Sequence, residues 1–353
     1  MTGKLTLTIK CVTPIFLGGS QAGSLAETIR PASIRGQARY WLRAILGAGI
    51  DPAADDALNR LKVLEGRLMG NTEAGSPVRF RVRAGRPPAY VEKNNPGRRM
   101  LPHRMAGVPD TPQNNRRNQP LSEAAFLEDQ QFDLILSPRP GLRALPDEVV
   151  AAVLLWLALG GLGKRARRGF GSLQPVKWAA DEGVISATAR EYLPGGQPAD
   201  AAALRSTINA LLKWAGGLSP RPPATWSAPS DYPILHPDVA GVRVSEAVKG
   251  YHLEEGYHEA MVPFWKETLR SDELYDDYAY GYATRKNRRA SPFHFHIAHS
   301  AQGYHQVFTT FWANIPEVRN ERDVPPPDWG LVSNLLTDVE TRFGATNLWG
   351  RAL

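Results

Sequence analysis

The chain has 353 residues, 42% of them hydrophobic and 22% charged, a globular composition with room for two domains. Forty-two Lys and Arg against thirty-five Asp and Glu give a formal charge of +7; residues 79–120 alone hold ten Lys/Arg and two acids, Glu92 and Asp110, which suits an anionic partner. A single cysteine, Cys11, excludes an intramolecular disulfide and a cysteine-based zinc cluster, and the longest apolar run, 149–162, is too short to cross a bilayer, so a reducing, cytoplasmic setting is expected.

Leu5, Leu7 and Ile9 alternate with Lys4, Thr6, Thr8 and Lys10, the pattern of a half-buried strand. The segment also lacks the apolar core of a secretory signal. A helix is expected from Ser33, read as its cap, with Pro31 just ahead. Ile34, Ala38, Trp41, Leu42 and Ile45 form its buried stripe, and Arg35, Arg39 and Arg43 recur every four residues on another face. That ridge has two readings: a phosphate track near a helix N-terminus, or arginines paired with the acids of 51–73. Gly36 costs the helix roughly 1 kcal/mol relative to Ala and leaves room for a close approach. A second helical patch spans 53–69 on Leu58, Leu61, Leu64 and Leu68.

Residues 78–84 alternate apolar side chains with Arg79, Arg81 and Arg83, predicting a strand with one basic face. Residues 85–120 are rich in Pro, Gly, Asn and Arg and read as a long mobile insertion. A strand at 132–136, an apolar helix from 146 to about 159 and a closing strand at 171–178 follow. The N-terminal order is therefore strand, helix, strand, strand, helix, strand, the split βαβ or ferredoxin-like pattern, whose sheet leaves one face free.

Between the last helix and strand lies Gly160-Gly161-Leu162-Gly163-Lys164-Arg165-Ala166-Arg167-Arg168-Gly169-Phe170-Gly171: five glycines around four cations. Four cations in five residues repel one another when buried, so a flexible loop of this kind suits a polyanion, with a solvated basic turn as the plainer reading. It is no dinucleotide fingerprint, since it follows a helix and opens none, and no P-loop, since Arg165 stands where Ser or Thr is required.

The Pro/Gly-rich stretches 193–200 and 216–233 bracket a short helix at 201–215 and mark the domain junction. Beyond it a helical stretch at 257–270, strands at 291–299 and 304–314 and a helix at 328–343 are expected. Tyr275, Tyr278, Tyr280 and Tyr282 precede Arg285, Lys286, Arg288 and Arg289, the mixture that single-stranded RNA binding uses, or else buried packing with a basic rim. His294 and His296 share one face of a strand without a carboxylate partner, so contact with RNA or a neighbouring subunit is favoured over metal binding or catalysis. His258-Glu259 lacks the second histidine of a zinc-protease helix, and the acids of 272–277 lack the spacing of a calcium loop, so no metal and no cofactor is expected.

Three segments together carry a family resemblance: Thr13-Pro14-Ile15-Phe16 leading to Gly18-Gly19, the run from Arg30-Pro31-Ala32-Ser33-Ile34-Arg35-Gly36 to Trp41, and the loop 160–171. They resemble the RAMP superfamily of CRISPR systems, most closely the large double-RAMP subunit of the type III-B effector complex. Arg288-Arg289 resembles a short element of that subunit's C-terminal domain. The resemblance implies an α+β protein of tandem ferredoxin-like domains, at 1–180 and 200–353. It implies binding of CRISPR RNA or its target, assembly beside other RAMP subunits, no membrane association and no catalysis. The residues expected to bind the RNA are Arg30, Ser33, Arg35, Gly36, Arg39, Gly163, Lys164, Arg165, Arg167, Arg168, Arg288 and Arg289. Two alternatives remain: an endoribonuclease that processes CRISPR RNA through histidines, and a purely structural adaptor.

Overall fold

The computed structural model describes residues 3–17, 28–84, 89–90, 124–220, 230–248, 260–261, 281–283, 288–290, 293–312 and 329–350. Alternation makes the first strand, β1 (Leu5–Cys11): Leu5, Leu7, Ile9 and Cys11 are fully buried while Thr6, Thr8 and Lys10 turn to the other face. β2 (Val78–Ala84), β5 (Gln131–Pro138) and β6 (Leu173–Ala180) complete a four-stranded antiparallel sheet in the order β2-β5-β1-β6. β1 and β2 run the same way with β5 between them, a split crossover. The short pair β3 (Ala89–Tyr90) and β4 (Ala124–Ala125) is antiparallel.

α1 (Pro31–Gly47) and α3 (Asp147–Leu159) cover the inner face of this sheet, with α2 (Ala57–Met69) beside α1. α1 begins two residues before the expected start. Arg30 takes the extended conformation that a following proline imposes, and Pro31 fills the first helical position, so Ser33 lies inside the first turn and is no cap. α3 is apolar nearly all round because α1, the first sheet, α5 (Ala201–Gly217) and β10 (Phe293–Ser300) surround it. Each Leu or Ile so buried contributes about 2 kcal/mol. On α2, Leu61 is buried but Leu58 faces solvent, since the helix packs by one narrow stripe.

The second four-stranded antiparallel sheet has the order β10-β11-β7-β12, from β7 (Ala240–Ala247), β10, β11 (Gly303–Phe311) and β12 (Thr346–Gly350). Its connectivity repeats that of the first: the earliest strand sits between the third and fourth, and the second lies at the edge. α6 (Trp329–Phe343) joins β11 to β12 as α3 joins β5 to β6. Buried Arg243 of β7 binds Glu340 of α6 at 2.5 Å. α5, which follows α4 (Ala187–Glu191), touches α3 on one side and β7 and β12 on the other, and one apolar cluster runs through both halves. β8 (Gly281–Ala283) and β9 (Arg288–Ala290) form a separate antiparallel pair. The chain is thus α+β with two four-stranded antiparallel sheets. Nearly all of the expected insertion at 85–120, half of the 216–233 stretch and most of the helical stretch at 257–270 lie outside the described residues.

Candidate nucleic-acid interface

The glycine-arginine loop is built rather than flexible. α3 ends at Leu159, and the indole of Trp156 donates to the Gly161 carbonyl at 3.0 Å. Gly163, Gly169 and Gly171 take positive φ angles of 93°, 86° and 63°. A Cβ at Gly163 would collide with the Phe16 carbonyl, and one at Gly171 with the Leu162 carbonyl, so these glycines are required by the loop's own packing. Lys164 N donates to Phe16 O at 2.7 Å, Gly171 N to Pro14 O at 2.9 Å and Leu162 N to Gly171 O at 2.9 Å. Thr13 Oγ1 and Ser172 Oγ both donate to Gly169 O, at 2.7 and 2.9 Å.

The second sheet holds the same loop from the opposite side. Gly169 N donates to Phe295 O at 2.8 Å and Phe295 N to Arg167 O at 3.1 Å, an isolated parallel bridge between Arg168 and Phe295. Ile297 N donates to Ser172 Oγ at 2.9 Å. On this fixed backbone Lys164 and Arg168 are exposed, and Arg165 and Arg167 half-buried. Arg165 adopts φ 56° without being glycine, a strain of about 1 kcal/mol held in place by its neighbours.

Arg167 ties the loop to α1. Its guanidinium carbon stands 4.7 Å from the centre of the Tyr40 ring. Tyr40 lies one turn after Gly36, on the flank of α1 turned to the loop. Gly36 is exposed, and a Cβ there would meet nothing within 4 Å, so no packing inside the chain requires it. Arg30 is the exposed N-cap of α1 and Arg35 is exposed on the first turns.

Arg39 and Arg43 follow the second of the two readings. Arg39 Nη1 binds Glu65 Oε1 at 2.7 Å, and Nη2 donates to the carbonyls of Met69 at 2.9 Å and Gly70 at 2.5 Å. Arg43 Nε binds Glu65 Oε2 at 2.5 Å. Glu65 is 4% exposed, so both arginines fasten α1 to α2 around one buried carboxylate. Arg288 and Arg289 lie in β9, in register with Ala283 and Tyr282, outside both four-stranded sheets.

The histidines are not where period-two reasoning put them. His294 and His296 are 3% and 2% exposed, because β10 is covered on both faces. His294 Nε2 is hydrogen-bonded to the Tyr40 hydroxyl at 3.1 Å, and its ring packs against Trp41 and Phe311. His296 Nδ1 donates to the Gly160 carbonyl at 2.6 Å. Burial holds the His294 imidazole well below its ordinary pKa, with the nearby Arg167 charge adding to the effect. Burial likewise pushes His296 down to about 4 against the opposing hydrogen bond to Gly160. The expected contact of these two histidines with RNA or a neighbouring subunit is therefore corrected: they are neutral mortar between the halves. His258, the acids of 272–277, Tyr275, Tyr278, Tyr280, Arg285 and Lys286 lie outside the described residues. Among the described residues no group of three metal-ligating side chains occurs, and no helix is long and apolar enough to cross a membrane. Burial and the Asp129 charge push the Cys11 thiol up to about 12.

The outer face of the first sheet carries a second concentration of charge. Arg79, Arg81 and Arg83 of β2 alternate on that face and are exposed, opposite Ser137, Ile135 and Asp133 of β5. Asp133 is opposite Thr8 of β1, and Thr8 opposite Lys177 of β6. Arg83 and Thr8 donate to Asp133, and with the Lys177 charge they hold its carboxyl below the usual range despite the opposing desolvation. The alternation of β2 is visible in the letters; its alignment with Lys177, nearly a hundred positions later, is not.

Comparison with known proteins places this geometry among relatives. Residues 8–174 match the RAMP superfamily. Over 342 residues, 91% of each chain, the sequence is 24% identical to the CRISPR system Cmr subunit Cmr1-1 of Pyrococcus furiosus. The crystal structure of apo Cmr1 from the same organism superposes with a TM-score of 0.65 at 20% identity, covering 98% of this chain and 99% of that one. A chain of a type III-B Cmr-beta complex bound to cognate target RNA, seen by cryo-electron microscopy, superposes with a TM-score of 0.55 at 11% identity, covering 97% and 99%.

Proposed function

We propose that this chain is a RAMP superfamily protein, resembling Cmr1 of the type III-B Cmr complex, and from that premise a non-catalytic RNA-binding subunit of a type III-B CRISPR effector, working in the cytoplasm beside other RAMP subunits. In this reading it consists of two ferredoxin-like domains, about 1–180 and 200–353, and its RNA is the guide, the target or both.

The observation that carries the reading is the loop: a cationic turn held by glycines and by backbone hydrogen bonds to Pro14 and Phe16, which follow β1, and to Phe295 of β10, with Arg167 set over Tyr40, one helical turn from the exposed Gly36 of α1. Preorganised cations lose little entropy on meeting a phosphate chain, and contacts to the backbone carry no sequence preference. A non-catalytic role is supported by His294 and His296, whose buried, hydrogen-bonded rings have no path to a ribose hydroxyl.

The test is an RNA-retention titration with the Lys164→Ala/Arg165→Ala/Arg168→Ala variant. It is expected to unfold at the wild-type temperature, to bind single-stranded RNA more weakly, and to show a log K against log salt slope shallower by about 2, at ~0.7 per lost contact. Undiminished binding removes the loop from the interface. Incubation of the wild-type protein with precursor RNA and EDTA is expected to leave the RNA intact; sharp products would support the endonuclease alternative instead.

A further inference from the structure

We propose that the outer face of the first sheet is a second RNA surface, one that takes the sugar-phosphate chain of a single strand by its phosphates. The inference rests on the RNA-binding reading above and adds a site to it. Three exposed arginines of β2 (Arg79, Arg81, Arg83) and the exposed Lys4 and Lys177 share this face. Asp133 is the carboxylate among them, and Asp181 stands at the rim, hydrogen-bonded to the amide of Lys4 at 3.0 Å. Among the described residues, none is hydrogen-bonded or ion-paired with Arg79 or Arg81, while the Lys177 charge acts on Asp133. With Lys10, which Asp129 takes at 3.0 Å, six cations stand against three acids, a net charge that nothing among the described residues cancels.

Three features favour RNA over an acidic protein. Alternate residues of a strand stand about 6.8 Å apart, from the ~3.4 Å rise per residue, which is comparable to the distance between successive phosphates of an extended strand. Arginine is suited to this task because its planar fork meets phosphate oxygens two at a time. The face also lacks the aromatic anchors of a protein interface: the aromatic side chains of these strands, Phe80, Phe132 and Trp178, lie on the opposite face, packed with the core. The same lack predicts phosphate contact without base stacking, and so little sequence preference. Thr6 and Thr8, half-exposed between the cations, add hydroxyls of matching reach.

The experiment uses the full chain and a single-stranded RNA of mixed sequence, with anisotropy read across a potassium chloride series. Arg79→Ala/Arg81→Ala/Lys177→Ala is expected to keep the wild-type melting temperature, to bind about tenfold more weakly, and to show a slope shallower by about 2 units. The control Arg60→Ala/Lys62→Ala/Arg67→Ala removes equal charge from the outside of α2 and is expected to leave the slope within about half a unit of wild type. Equal losses for both triples, or an unchanged slope for the sheet triple, overturn the proposal while leaving the loop site standing. Normal RNA binding by the sheet triple, together with failure to enter the assembled effector, overturns it in favour of an acidic protein neighbour. A wild-type chain that binds no RNA sinks both this proposal and the functional reading beneath it.

Discussion

The arginine row of α1 and the arginine row of β2 look alike in the sequence and do opposite things. Arg35, Arg39 and Arg43 recur every four residues on a helix; Arg79, Arg81 and Arg83 recur every two on a strand. In the first row, Glu65 reaches across from α2 and takes both Arg39 and Arg43. In the second, Asp133 takes Arg83 and nothing described takes Arg79 or Arg81. Periodicity tells which cations share a face. Whether that face is spent on the fold or offered outward depends on a carboxylate elsewhere in the chain.

The difference is sharpest where removal is costliest. Glu65→Ala takes the shared carboxylate from half-buried Arg39 and exposed Arg43 and is expected to cost about 3 kcal/mol in urea unfolding, about 1.5 for each hydrogen bond between charged partners. The equivalent change in the other row, Asp133→Ala, strips an acid from a wet face. It is expected to cost under ~1 kcal/mol and to tighten RNA binding.

A second break runs through the buried bases. His296 titrates near 4 when folded and near its ordinary value of 6.5 when unfolded, and His294 is displaced the same way. The unfolded chain therefore binds more protons in the interval between, so stability falls as pH drops from about 6.5 toward 4, by about 1.4 kcal/mol per pH unit for His296, with His294 acting in the same direction. Above pH 7 the effect vanishes. Urea midpoints at pH 7.5 and 5.0 measure it, and His296→Gln is expected to flatten the slope. A pH-independent midpoint would mean that the two rings are not held neutral.

The smallest effects separate the rows one arginine at a time. Arg43→Ala is expected to cost about 1.5 kcal/mol, the value of a hydrogen bond to a charged partner, without changing the salt dependence of RNA binding. Arg81→Ala is expected to do the reverse: stability within about 0.5 kcal/mol of wild type and a salt slope lower by ~0.7.

How legible these features are depends on where their partners come from. β1, β2, β5 and β6 are visible because one face of each is apolar and the other wet. α3 is visible because Val149–Leu159 is too apolar to be anything but enclosed. β7 is not: Arg243 and Ser245 are as buried as Val242 and Val244, since the strand is covered on both sides and a salt bridge to Glu340 replaces the expected alternation. β12 is five residues long and follows directly on α6, too little pattern to read. The loop glycines announce a turn, but their letters do not say that the Phe16 and Leu162 carbonyls occupy the space a side chain would need. His294 and His296 mislead for the same reason as β7, a second covered face that local sequence does not record.

The bridge between Arg168 and Phe295 has a consequence for biosynthesis. Ser172 receives its bond from Ile297, 125 positions downstream, so the cationic loop depends on a contact of very long sequence separation, the kind that forms late because a large ring of chain must close first. While the ribosome is still making the second sheet, the nascent polypeptide already displays the cations but lacks the strand that sets their backbone. The RNA grip proposed for this loop would then follow synthesis of the second sheet.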